Sequence, residues 1–141
     1  LDTIQAAILQ VKLKNLDSYN SSRRTVADYY DRAFSDCLSI QVPERKNFSS
    51  HIFHQYTIKM ENGKREKLKE WLESKSIPSM IYYPIPLHRQ KAYLYLGYKD
   101  GDFPVTEKLC REVISLPMHP DLEQDQLEYI TMNVLKFFEK Q

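Results

Sequence analysis

Glycine is scarce in this chain, with three residues in 141, and neither G-x-x-x-x-G-K-[ST] nor G-x-G-x-x-G occurs. Both phosphate-cradling turns need glycine so that backbone can approach the anion closely, so neither kind of nucleotide loop is built here. Charge of one sign is also missing: 20 basic and 19 acidic residues leave a net charge of +1, without the positive field that nucleic-acid binding draws on. No apolar run approaches the ~20 residues of a membrane helix. Only two cysteines are present, Cys37 and Cys110, in apolar-periodic segments and without a C-x-x-C. They read as buried free thiols of a protein in a reducing cytosol. The expectation is a cytoplasmic protein that contacts neither nucleic acid nor membrane.

Metal-ligating clusters are lacking as well. His51 and His54 are three apart in His51 to Met60, a stretch that reads as a strand, and such a pair points to opposite faces. No cysteine or carboxylate cluster completes a site, so no metal is expected.

What is present suffices for one domain: 42% of the residues are hydrophobic, enough for a core at this length. The first 37 residues read as a long helical segment, since no proline or glycine precedes Pro43. At about 100° per residue, Ile4, Ile8 and Val11 fall on one stripe and Leu9, Leu13 and Leu16 on another roughly 140° away. A helix apolar on two sides calls for cover from two sides. Asp17, Ser18, Asn20, Ser21 and Ser22 suggest a break, with a second helix from about Arg23 to Cys37. In the expected strand, Ile52, His54, Tyr56 and Ile58 share one face, and His51, Phe53, Gln55 and Thr57 the other. Asn62-Gly63 supplies a turn, and Lys64 to Ser74 forms a helix on Leu68, Trp71 and Leu72. A short strand from Met80 to Tyr83 then makes strand, helix, strand: a crossover unit.

Pro104 suits the first turn of a helix reaching Glu112, and Val113 to Leu116 makes a third strand stopped by Pro117 and Pro120. The last helix opens near Asp121 and sets Leu127, Ile130, Val134 and Phe137 on one face, with Lys136 and Lys140 at the negative end of its dipole. Three short strands among five or six helical segments give a small α/β (α+β) layer.

The most distinctive stretch is IYYPIPLHRQ, Ile81 to Gln90. Pro84 and Pro86 fix φ and bias Tyr83 and Ile85 toward extended geometry, so the chain leaves its strand as a stiff arm. His88 follows the arm and precedes a short helix, Lys91 to Leu96, closed by Gly97. There a side chain can be aimed outward, which makes His88, with Tyr83 and Gln90 beside it, a candidate ligand contact; the alternative is a hydrogen-bonded loop histidine.

Three stretches together resemble the DegT/DnrJ/EryC1/StrS family of pyridoxal-phosphate-dependent nucleotide-sugar aminotransferases. They are LDTIQAAILQVKLKNLD at 1–17, YYPIPLHRQKAY with GYKDGDFP within 82–104, and SLPMHPDL at 115–122. The resemblance implies that 1–141 is the single small C-terminal domain of a fold-type I enzyme. Residues 1–37 would bridge to a large domain or to the partner of a homodimer formed through the first helix. None of the thirteen lysines stands in the family's Schiff-base context, so no catalytic and no cofactor-binding residue is carried over. The family's Asn-x-Arg motif would end just before Leu1.

For the parent enzyme the resemblance implies transfer of an amino group from glutamate, through pyridoxal phosphate, to a keto sugar nucleotide. The YPIPLH form is more similar to members acting on 3-keto sugars, in amino-sugar and cell-surface polysaccharide biosynthesis. Tyr83, His88 and Gln90 would contact the sugar or its phosphates, and the chain alone would be inactive and bind no cofactor. Two alternatives stay open: a stand-alone, non-catalytic binding or assembly module, and a dehydratase of the same family.

Overall fold

The computed structural model describes residues 2–60 and 63–139. Asn62 of the expected turn and Lys140 lie outside the described residues. Five α-helices, two 3-10 turns and three strands follow in the order α1 (Thr3–Leu13), α2 (Leu16–Phe34), β1 (Ile40–Gln41), β2 (Tyr56–Met60), α3 (Arg65–Ser74), the turns Leu87–Arg89 and Lys91–Leu96, α4 (Pro104–Glu112), β3 (Val113–Leu116) and α5 (Gln124–Glu139). The sheet is antiparallel in the order β1-β2-β3. The expected α+β layer with three short strands is the architecture observed.

The long helical segment is two helices, and the break falls at Lys14–Asn15 rather than in the serine-rich cluster. Ser18 Oγ donates to Asn15 O (2.8 Å) and Thr25 Oγ1 to Ser21 O (3.3 Å). Hydroxyls that bond back to the preceding turn are satisfied inside a helix and do not stop it. From Val26 onward α2 buries Val26, Ala27, Tyr30 and Phe34 along one face. That face packs against α5, whose Leu127, Ile130, Val134 and Phe137 are buried as expected, and Leu68 and Leu72 of α3 belong to the same core. Fully burying each aliphatic or aromatic side chain is worth about 1.5–3 kcal/mol.

Strand β2 is half the expected length. Phe53 sits in the left-handed region (φ 49°), and its N–H is held by His51 Nδ1 at 2.8 Å, so the alternation cannot extend back to His51. The result inverts part of the expected face: Phe53 is buried with Tyr56, Ile58 and Met60, whereas Ile52 and His54 are exposed. Among the described residues no group of three or more metal-ligating side chains gathers around either histidine. Two buried phenols tie the core to polar partners. Tyr30 donates to Pro117 O (2.9 Å) and Tyr56 to Asp31 Oδ1 (2.5 Å). Burial raises both phenol pKa values, and for Tyr56 the Asp31 carboxylate adds to the rise. Arg45 binds the same carboxylate (2.7 Å) and lies over the Phe53 ring, which pins the 42–55 loop to α2.

The strand expected at Met80–Tyr83 reduces to one antiparallel bridge, Met80 with Ser115. Thr57 pairs with Ser115 from the other side, so β3 lies between β2 and the Met80 bridge. The path from β2 through α3 to Met80 is therefore a crossover, split by an inserted antiparallel strand. Strand β1 was not foreseen: two residues are too few for any periodicity to register. The last helix begins at Gln124 rather than near Asp121, because Gln126 Oε1 accepts the Glu123 N–H (3.0 Å) and fixes the start there.

Candidate functional site

The arm emerges from the sheet at Met80, whose N–H and C=O both bond to Ser115 (3.1 and 2.7 Å). Pro86 (φ −55°, ψ 143°) holds the extended backbone up to the first 3-10 turn, where Arg89 N–H returns to Pro86 O at 2.9 Å. Gln90 is again extended (φ −73°) and starts the second turn, which Gly97 closes in the left-handed region (φ 78°) as expected.

Between arm and α4 lies a cavity of about 510 Å³, with Tyr83, Ile85 and Gln90 on one wall and Thr106, Leu109 and Cys110 on the other. The structure thus brings two of the three expected contact residues together. Tyr83 is 71% exposed, so its ring and hydroxyl are free to meet a ligand. Cys110 is half-buried, and desolvation pushes its thiol pKa up despite Arg65 and Arg111. It is a neutral lining group, not a thiolate nucleophile. A larger cavity of about 850 Å³ runs beside α1 and is lined by Leu9, Leu13 and Leu16, but it gathers none of the candidate residues.

His88 corrects the expectation of an outward-aimed side chain. Its ring is 7% exposed and stacks on Phe103 with centroids 4.8 Å apart. Nε2 lies 3.2 Å from Glu107 Oε1, but off the ring N–H axis, so Nε2 makes no hydrogen bond among the described residues. The physical reason for the reversal is the 3-10 turn, which folds His88 back under the arm while Leu87 and Arg89 stay outside.

Glu107 was not singled out in the sequence. Its carboxylate accepts the Gly101 N–H (2.9 and 3.1 Å) and the Phe103 N–H (3.4 Å). The Gly101 N–H, then that of Phe103, and His88 hold this carboxyl below the usual glutamate pKa. A signal was available. Pro104 marks a helix start, and an acidic residue in the first turn after a Gly-Asp loop commonly reaches back for free backbone N–H groups. Arg89 Nε pairs with Asp100 (3.0 Å) and closes the same segment on itself.

The lining of the arm cavity does not by itself fit pyridoxal phosphate: among the described residues no lysine lines it to bond an aldehyde, and no cationic side chain lines it to meet a phosphate. Among the described residues no helix is long and apolar enough to cross a membrane.

Comparison with known proteins places this geometry. The model of the DegT/DnrJ/EryC1/StrS aminotransferase family matches residues 1–135. A pleiotropic regulatory protein of Geobacillus stearothermophilus is 39% identical over 98% of this chain and 37% of its own length. The UDP-N-acetyl-3-dehydro-alpha-D-glucosamine 3-aminotransferase of Acidithiobacillus ferrooxidans is 38% identical over 92% of this chain and 34% of its own. Among solved structures, S. venezuelae DesV, crystallised with a ketimine intermediate, superposes with a TM-score of 0.94 at 31% identity, over 99% of this chain and 37% of that one. The chain therefore spans little more than a third of these relatives. On the match over residues 1–135 and this superposition, the chain belongs to the DegT/DnrJ/EryC1/StrS aminotransferase family.

Proposed function

We propose that the chain serves as the C-terminal domain of a cytoplasmic, homodimeric aminotransferase that moves an amino group from glutamate to a keto sugar nucleotide, with a 3-keto hexose as acceptor. The observation that carries this reading is the arm cavity, which sets Tyr83 and Gln90 on one wall of a domain that follows the backbone of DesV. A phenol and a carboxamide offer the donors and acceptors that sugar hydroxyls and phosphate oxygens require. The acceptor class is suggested by the name of the Acidithiobacillus ferrooxidans relative. Pyridoxal phosphate, held by the rest of the enzyme, supplies the electron sink for amino transfer. The residues of this chain bind and orient the sugar nucleotide, and His88 supports that wall from behind.

The test is to express the polypeptide read from the start codon upstream of Leu1, load it with pyridoxal phosphate and glutamate, and offer it 3-keto and 4-keto sugar nucleotides. Amination of the 3-keto substrate is expected. Tyr83→Ala and Gln90→Ala should each raise KM for the sugar nucleotide about tenfold, the worth of one good hydrogen bond, and leave the glutamate half-reaction intact. Elimination of water in place of amination would move the enzyme to the dehydratases. A coding sequence opening at Leu1 itself would favour a non-catalytic binding module.

A further inference from the structure

The segment from Tyr82 to Phe103 is anchored by polar contacts rather than by burial. Its apolar side chains are largely exposed, with Ile85 at 54%, Leu87 at 59% and Tyr95 at 81%. From Tyr82 to Phe103 only His88 is buried. That single buried side chain sits between the Phe103 ring (4.8 Å) and the Glu107 carboxylate (3.2 Å). The same carboxylate holds the Gly101 and Phe103 N–H groups, and Phe103 is also packed edge-on by Tyr98 (5.0 Å). One side chain on α4 therefore grips the arm through His88 and the returning loop through its backbone.

We propose that Glu107 is the positioning residue of the sugar-nucleotide wall: it latches the arm to α4 and so fixes where Tyr83 and Gln90 stand. The inference rests on the reading of the cavity as a sugar-nucleotide site. Glu107 itself does not line the cavity and acts only through the arm. An arm seated on apolar burial would keep its place without the carboxylate. This one has no such seat, so losing the latch frees the whole wall.

Two measurements test the latch. In the 141-residue chain, Glu107→Ala should speed amide hydrogen exchange at Gly101 and Phe103. It should also speed exchange at Arg89 and Gln90, whose N–H groups bond only within the first turn. About tenfold is expected for one lost charge-assisted contact, with β2 and α5 unchanged. Acceleration confined to Gly101 and Phe103 would overturn the proposal, because the carboxylate would then only cap a loop. Acceleration throughout α5 would overturn it too, as global destabilisation. In the upstream-extended, cofactor-loaded protein, Glu107→Gln should raise KM for the sugar nucleotide about tenfold while the glutamate half-reaction keeps its rate, and Glu107→Asp should recover part of the loss. Equal losses in both half-reactions would overturn positioning. If the unaltered protein aminates no sugar nucleotide, the functional reading fails by itself, and the exchange at Arg89 and Gln90 still decides the latch.

Discussion

At the scale of single residues, two carboxylates each gather several partners, and they do so differently. Asp31 receives the Tyr56 hydroxyl and the Arg45 guanidinium together, so removing one donor leaves the charge still paired. Tyr56→Phe should therefore cost only about 1 kcal/mol in urea unfolding, the net worth of one hydrogen bond. A loss several times larger would mean that Arg45 cannot hold Asp31 without the phenol. Glu107 has no such second cation among the contacts described: its partners are two backbone N–H groups and a misaligned imidazole. The sequence made Tyr83 and Gln90 legible as neighbours on an arm, because prolines and turn residues act locally. It did not reveal that His88 faces inward, since that depends on Phe103 and Glu107, which approach it only after the chain has doubled back.

At the scale of elements, helices were legible and strands only in part: β3 is the Val113–Leu116 strand expected from the sequence, whereas β1 and the true start of β2 were not legible. Apolar spacing in α3 and α5 records a local, one-faced periodicity, so the four expected residues of α5 are all buried, and Thr131 and Asn133 join them. Strand β1 has two residues and β2 five, and what defines them is pairing with distant partners, which no local pattern records. The segment from Tyr82 to Phe103 behaves as an element of its own, and its anchoring should depend on pH. The folded pKa of Glu107 lies below its ordinary value of 4.5. A lowered carboxylate stabilises the fold above the unfolded pKa and loses that contribution as pH falls through the folded one. The arm should accordingly stay fixed at neutral pH and loosen below about pH 4.5, seen as a change in the NMR signals of Tyr98 and Phe103 before the core unfolds. Glu107→Gln should abolish this early transition. If the transition persists in that variant, another group is responsible.

At the scale of the whole molecule, the core and the first helix stand in contrast. Helices α2, α3 and α5 close a core with the sheet, whereas α1 buries no residue at all. Its residues of both expected stripes are uncovered: Ile4, Ile8 and Val11 are 72, 54 and 67% exposed, and Leu9 and Leu13 are 52 and 66%, while Leu16, expected on the second stripe, begins α2 and is 47% exposed. An amphipathic helix held at one end and apolar on two sides stays in water only at the cost of hydrating a continuous apolar surface. Isolated helices of this length are marginal without tertiary packing, so α1 would gain both order and burial from cover by a large domain or by a second chain. The 141-residue chain should self-associate, with a sedimentation coefficient that rises across the micromolar range and greater helicity in the associated state. Ile8→Lys with Leu13→Lys places a charge on each stripe and touches no core residue. It should return the chain to a monomer with unchanged unfolding of the core. A wild-type chain that remains monomeric at high concentration would show that α1 needs no partner. A charged double variant that still associates would move the contact away from α1, to other exposed apolar side chains such as Tyr83, Leu87 and Tyr95 of the arm segment.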